Sequence, residues 1–147
     1  MALADAPIDQ ECVEGYLFHR PPFRLLLLRR PPSRGRIWVP VSGKVEATDA
    51  DYSSALAREV REETGFGSYV RIFPLDWEVL FEGPDGARWR LHAFGVELDR
   101  AVAPVLSSEH EAFEWVTAEE ALHKLHYEDN REAVRRLRDI VAASPTV

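Results

Sequence analysis

The sequence predicts one layered α/β domain in which helices cover both faces of a sheet. The run Leu25-Leu26-Leu27-Leu28 is apolar at four consecutive positions, as in a strand that is buried on both faces. A helical pattern from Ala50 to Thr64 lies between extended segments, and a second amphipathic pattern closes the chain. At 147 residues, the chain has the length of a single domain spanning residues 1–147.

The first strands form a predicted hairpin. Glu11 to Phe18 and Phe23 to Arg29 are extended segments, and the consecutive prolines of Arg20-Pro21-Pro22 exclude a helix between them. Pro31 to Gly35 then interrupts the strand pattern, and Ile37 to Val41 resumes it.

The central helix and the second half of the chain follow from capping and periodicity. Asp49 and Asp51 are candidate N-caps for the helix from Ala50 to Thr64, and Gly65 is a stop signal. Three later strands are predicted, at Ser68 to Phe81, Trp89 to Leu98 and Phe113 to Val116. A capping box formed by Thr117 and Glu120 opens a predicted helix from Ala118 to Leu125. A C-terminal helix is predicted from apolar residues at helical spacing: Ala133, Val134, Leu137, Ile140 and Val141.

Composition excludes several classes of protein. Eighteen basic and 25 acidic residues give a net charge of −7, the wrong sign for a protein that wraps a long nucleic acid. No segment longer than about eight residues lacks a charge, whereas a membrane-spanning helix needs about 20 apolar residues. Met1 to Gln10 has neither a basic residue nor an apolar block, so we expect no targeting signal and a cytoplasmic protein. The single cysteine, Cys12, excludes an internal disulfide.

The central helix carries an unusual acidic side. At about 100° per residue, Glu59, Glu62 and Glu63 share one sector on the side that the helix would bury, while Thr64 falls on the other side. A solvated charge run is the ordinary interpretation of such a segment. However, like charges at these spacings repel each other, by more when they are partly desolvated. An excess of carboxylate oxygens is the ligand set that Mg²⁺ or Mn²⁺ prefers, so the helix predicts a metal site.

The same residues resemble a known family. Gly43-Lys44-Val45-Glu46, Asp49 and the segment from Arg58 to Phe66 look like the Nudix box, GX5EX7REUXEEXGU, where U is a bulky apolar residue. Two departures stand out: Asp49 replaces the first glutamate of the box, and eight residues rather than seven separate it from Arg58. We place the extra residue in the turn that enters the helix.

The resemblance implies a fold, an activity and a site. The fold is a Nudix-type α/β/α sandwich with a mixed curved sheet between helices, and the activity is hydrolysis of a pyrophosphate link with Mg²⁺ or Mn²⁺. Glu59, Glu62 and Glu63 would bind the metal with the Gly43 carbonyl, Arg58 would orient them, and Glu59 is also a candidate general base. Glu109, in the loop before the last strand, resembles an additional catalytic and metal-binding acid of the family. An ordinary solvated loop residue is an equally weighted alternative for Glu109.

Weaker similarities suggest the substrate. Trp38 to Gly43, Ser108-Glu109-His110 and Asn130-Arg131 resemble dihydroneopterin triphosphate and dATP pyrophosphohydrolases, which implies cleavage of a triphosphate to the monophosphate and pyrophosphate. Dinucleoside polyphosphates, ADP-ribose and nucleotide sugars are alternatives, and so is a non-catalytic nucleotide sensor. The expected partner is a small phosphorylated molecule, and a homodimer is left open.

A basic segment supports a phosphorylated ligand. From Gly15 to Lys44 there are seven basic and no acidic residues. We expect Lys44 and Arg36 to meet substrate phosphates, and Trp38, Asn130 and Arg131 to complete the substrate-binding set.

Overall fold

The computed structural model describes residues 7–145, so most of the expectation for Met1 to Gln10 lies outside the described residues. Within that range the elements are, in order, β1 (Gln10–His19), β2 (Arg24–Arg29), a 3-10 turn (Pro32–Arg34), β3 (Trp38–Val39), β4 (Val41–Lys44), α1 (Tyr52–Thr64), β5 (Arg71–Glu82), β6 (Arg88–Glu97), β7 (Ala112–Val116), α2 (Ala118–Lys124) and α3 (Glu128–Ala142). No helix in this part of the chain is long and apolar enough to cross a membrane.

The seven strands form one mixed sheet around β1. Strand β1 runs parallel to β6 on one edge, and on the other edge it pairs antiparallel with β4 and then with β2. Strand β5 extends the sheet beyond β6, and β7 extends it beyond β2. The predicted hairpin is present, with Phe18 opposite Leu25. A mixed sheet between helices is therefore confirmed.

Alternate leucines of β2 connect the sheet to both helical layers. Leu25 and Leu27 belong to a core that includes residues of α2 and α3, whereas Leu26 and Leu28 belong to a second core with residues of α1. All four are at most 3% exposed. The apolar run thus marks a strand that is covered on both faces, as its sequence predicts.

Capping fixes where the functional helix begins and ends. Asp51 is the N-cap of α1 and accepts a hydrogen bond from the Ser54 amide at 2.7 Å. Gly65 ends the helix with φ of 79°, a conformation that glycine adopts without steric cost. The helix begins at Tyr52, two residues later than predicted, and Asp49 is not a cap. The predicted capping box of α2 is present between Thr117 and Glu120.

Three local predictions differ from the structure. The Ile37 to Val41 segment is broken at Pro40, which lacks the amide hydrogen needed to continue a strand ladder, so β3 and β4 are separate. Strand β5 begins at Arg71 rather than at Ser68. Thr64 was expected on the exposed side of α1, but it is fully buried, and its hydroxyl donates to the Val60 carbonyl at 2.5 Å.

Candidate functional site

The site begins where β4 passes the acidic side of α1. A Cβ atom added to Gly43 would lie closer than 3.0 Å to all three carboxyl atoms of Glu59. Real Cβ contacts essentially never come that close, so Gly43 makes the room that the Glu59 carboxyl occupies. The glycine that opens the box is therefore required by packing against the helix.

Arg58 joins the loop before α1 to the acidic side of the helix. Its guanidinium donates two hydrogen bonds to Asp49, from Nε to Oδ1 at 3.1 Å and from Nη2 to Oδ2 at 2.9 Å. It also donates to Glu59 Oε1 and to the Lys44 carbonyl, each at 2.9 Å. The pKa of Asp49 is held below its usual range, chiefly by Arg58.

These bonds show how the two departures from the box fit together. Asp49 is one methylene shorter than glutamate, but the turn before α1 brings it within a bidentate contact of Arg58. That turn is closed by the Glu46 amide, which donates to Asp49 Oδ2 at 2.7 Å. Arg58 is thus engaged by Asp49, Glu59 and the Lys44 carbonyl.

Glu59 and Glu63 form a buried carboxyl pair. They are 8% and 1% exposed, respectively. Burial is the main cause that raises the pKa of both groups, and for Glu63 the neighbouring Glu59 carboxyl adds to it. Glu63 Oε2 is buried without a hydrogen-bond partner among the described residues, and its Oε1 lies 3.6 Å from His110 Nδ1. Burial also lowers the pKa of His110 to about 4, so this imidazole is neutral near pH 7.

Glu62 lies at the rim of this pair. Its side chain is 57% exposed and is 3.4 Å from Arg58. Sequence analysis placed all three glutamates on the buried side of α1, and the structure places two of them there. Between residues 7 and 145, no three Asp, Glu, His or Cys side chains converge in a ready-made metal site.

The donor set nevertheless fits a hard divalent cation. The unpartnered Glu63 oxygen, the adjacent Glu59 carboxyl and the flexible Glu62 at the rim supply an excess of oxygen ligands. Two adjacent buried carboxyls are costly to ionise together unless a cation compensates them. The chemistry of the pair therefore matches Mg²⁺ or Mn²⁺.

A cleft of about 910 Å³ extends from these carboxylates across the sheet. Besides the acidic residues already described, Arg30, Arg34 and Lys44 line it. At its other end lie Phe81 and Trp89, whose rings stack at a centroid distance of 5.8 Å. The cleft thus combines anionic, cationic and aromatic surfaces, which suits a ligand with both phosphates and a planar ring.

Most of the predicted site residues meet in this cleft. Those lining it are Gly43, Lys44, Arg58, Glu59, Glu62, Glu63, Glu109 and Asn130. Glu109 is exposed, and its backbone amide donates to Ser107 Oγ at 3.3 Å.

Three of the predicted substrate-binding residues have other surroundings. Trp38 packs against the α2–α3 core between the cationic groups of Arg29 and Lys124. Arg36 is 63% exposed and lies 3.7 Å from Glu111. Arg131 donates to the carbonyls before α3, at 2.7 Å for Leu125. These contacts account for the three residues structurally, and none of the three lines the cleft.

Sequence analysis missed several residues of the cleft wall. Arg30 and Arg34 line the cleft, whereas Arg36, which was predicted to meet substrate phosphates, does not. Glu14 is a second omission: its side chain is 7% exposed and lies within the fully buried stretch of β1 from Cys12 to Phe18. A charged residue in the middle of a buried strand was the signal that could have identified it.

Comparisons with known proteins identify the family and the fold. A family model described as NUDIX domain matches residues 16–137. The E. coli dihydroneopterin triphosphate pyrophosphohydrolase superposes with a TM-score of 0.76 at 22% identity, covering 94% of this chain and 100% of that one. An Ap4A hydrolase from C. elegans superposes with a TM-score of 0.76 at 20% identity, covering 92% and 99% of the two chains.

A curated relative is longer than this chain. It is named octanoyltransferase, comes from Myxococcus xanthus, and is 36% identical over 119 residues. The match covers 79% of this chain and 32% of the relative, so the chain spans about a third of that protein's length.

A mixed sheet between helices, with a glutamate-rich helix packed against a glycine of strand β4, defines a Nudix-type domain. The chain belongs to the NUDIX family.

Proposed function

We propose that this chain hydrolyses a phosphoanhydride bond of a nucleoside or pterin triphosphate, with Mg²⁺ or Mn²⁺, and releases the monophosphate and pyrophosphate. One observation carries the proposal: a single cleft is lined by the buried Glu59–Glu63 pair, by the aromatic ring of Trp89 and by the polar side chain of Asn130. The phosphate chain needs charge neutralisation, and a planar head group gains from stacking on an aromatic wall.

Glu59, Glu62 and Glu63 would hold the cation, with the Gly43 carbonyl and Glu109 as further oxygen donors. When bound, a divalent cation polarises phosphoryl oxygens and lowers the pKa of an attacking water. Arg58 fixes the Glu59 carboxyl through its 2.9 Å hydrogen bond. We therefore assign Glu59 as the acceptor of the proton that water loses when its oxygen attacks phosphorus and the P–O–P bridge breaks.

The cationic residues of the cleft suit the phosphate chain. Lys44 follows Gly43 directly, and its ammonium group lies 5.2 Å from the centre of the Trp89 ring. This position connects the aromatic end of the cleft to the carboxylates. Arg30 and Arg34 line the same space, so we propose that these three groups neutralise phosphates that the cation leaves uncompensated.

A substrate panel tests the proposal. It contains (d)NTPs, dihydroneopterin triphosphate, dinucleoside polyphosphates, ADP-ribose and nucleotide sugars, each with excess Mg²⁺ or Mn²⁺ and with both products resolved by chromatography. Because one relative is named octanoyltransferase, the panel also contains octanoyl-coenzyme A, which has a pyrophosphate link. We expect a triphosphate to give monophosphate and pyrophosphate. Preferred cleavage of a dinucleoside polyphosphate would show that the proposed triphosphate substrate is wrong but that the proposed hydrolysis of a phosphoanhydride bond is right.

A nucleotide sensor is the competing function. It predicts tight nucleotide binding in calorimetry without release of phosphate or pyrophosphate at any cation concentration. That result would overturn the enzymatic proposal, whereas turnover that depends on the cation would exclude a sensor without activity.

A further inference from the structure

A closed hydrogen-bond network lies at the floor of the cleft, on the α3 side of the sheet. Its members are Glu14 and Tyr16 of β1 and Asn130 of α3, all of them less than a tenth exposed. Tyr16 donates its hydroxyl hydrogen to Glu14 Oε1. Asn130 Nδ2 donates to Glu14 Oε2 at 3.1 Å and to the Tyr16 oxygen at 3.0 Å.

The network fixes which way the Asn130 amide points. An amide nitrogen carries two hydrogens, and here each has an acceptor, a carboxyl oxygen and a phenol oxygen. A flipped amide would place its oxygen against Glu14 and lose both bonds. The orientation therefore leaves Asn130 Oδ1 as the free atom, and this oxygen is buried without a partner among the described residues.

Every donor of the network is used internally, and only acceptors remain. Asn130 Oδ1 has no hydrogen bond, and each Glu14 oxygen accepts a single one. Glu14 and Asn130 both line the cleft, whereas Tyr16 lies behind them. Burial raises the pKa of Glu14 to about 7, which reflects a carboxylate short of compensating donors. A buried acceptor without a donor is costly, so the floor is built for a ligand that supplies donors.

We propose that Glu14, together with Asn130, is a specificity-determining residue that binds the donor edge of a 2-amino-4-oxopyrimidine ring, the group that guanine and pterins share. This inference rests on the proposed function, whose substrate class it narrows. The ring presents two adjacent donors, a ring N–H and an exocyclic amino group, opposite two adjacent acceptors. In adenine and cytosine the amino group lies next to a ring nitrogen that accepts hydrogen bonds. These bases can therefore donate to only one of the two acceptors, Glu14 and Asn130.

The experiment compares dGTP with dITP, which differ only by the exocyclic amino group. At pH 8, where Glu14 is ionised, we expect the wild type to prefer dGTP in kcat/KM by about tenfold or more, as for one hydrogen bond to a charged group. Glu14→Gln exchanges an anionic acceptor for a neutral amide of equal size and should bring the ratio close to one. Glu11→Gln is the matched control: it makes the same exchange on the same strand, but Glu11 bonds Tyr52 and Arg90 away from the cleft. It should keep the wild-type ratio.

Three further measurements make the result decisive. Asn130→Leu removes the second acceptor and should also lower the ratio, so a Glu14 variant that unfolds does not end the test. Dihydroneopterin triphosphate, run beside dGTP, distinguishes a pterin from a nucleotide as the source of the edge. If no triphosphate is hydrolysed, the ratio of the calorimetric affinities for dGTP and dITP replaces the ratio of kcat/KM. The assignment of Glu14 can then be tested even if the proposed hydrolysis is wrong. A dGTP preference that is absent from the wild type, or unchanged by both variants, would overturn the assignment of Glu14.

Discussion

The contact between Gly43 and Glu59 gives the sharpest prediction. In Gly43→Ala the new methyl carbon would lie closer than 3.0 Å to the whole Glu59 carboxyl, whereas ordinary contact begins at 3.4 Å. The obstacle is the end of a flexible side chain and not backbone, so the strand can stay in place while the carboxyl moves by about 1 Å. A displacement of that size in a catalytic group lowers kcat/KM by about 100-fold.

The assay is steady-state turnover of the best substrate, with melting temperature as the measure of folding. Gly67→Ala is the matched control, because no atom lies within 4 Å of the added methyl carbon at that position. We expect Gly43→Ala to lose activity and to melt within a few degrees of Gly67→Ala. If both variants turn over within about threefold of each other, Gly43 does not position Glu59 and the reasoning is wrong.

The remaining predictions concern carboxyl groups that line the cleft. Glu62→Gln or Glu63→Gln should lower kcat by about 100-fold or more and leave the far-ultraviolet circular dichroism unchanged; near-full turnover would refute the metal-ligand assignment. Burial raises the pKa of Glu14 from 4.5 to about 7, against the opposing effect of the hydrogen bonds from Tyr16 and Asn130. The folded state therefore keeps the Glu14 proton between pH 4.5 and 7, where the unfolded state loses it, and stability falls by up to about 3 kcal/mol as pH rises through that window. Glu14→Gln removes this decline. The melting temperature of the variant, relative to that of the wild type, should therefore rise between pH 4.5 and 8. If the two plots of melting temperature against pH are parallel, the prediction is wrong.

Local signals predicted most of the fold. The double prolines, the leucine run, the capping box and Gly65 each act over a few residues, and each predicted its element. Boundaries differed where a single tertiary contact decides, as at Asp49. A cap and an ion-pair partner have the same sequence signature there, and only the position of Arg58 distinguishes them.

The site was predictable only in part, for a related reason. The box is contiguous in sequence, so its glutamates could be named directly. The wall of the cleft comes from β1, β6, the 3-10 turn and α3, and which side chains face it depends on how these elements pack. Arg36 and Trp38 were chosen for their nearness in sequence to Gly43, but they lie outside the cleft lining. Glu14, about thirty residues from the box, is brought to Ser42 by strand pairing.

Strand pairing also has a consequence for where a substrate is cut. Strand β1 is hydrogen-bonded along both edges, to β6 from Gln10 to Phe18 and to β4 from Cys12 to Gly15. Glu14 lies opposite Ser42, the neighbour of Gly43. The backbone spacing between Glu14 and Gly43, the glycine beside Glu59, is thus set by the pairing of two strands. Under the proposed roles of Glu14 and Glu59, a substrate longer by one phosphate would present a different anhydride bond to Glu59, and the register of two strands would select the bond that breaks.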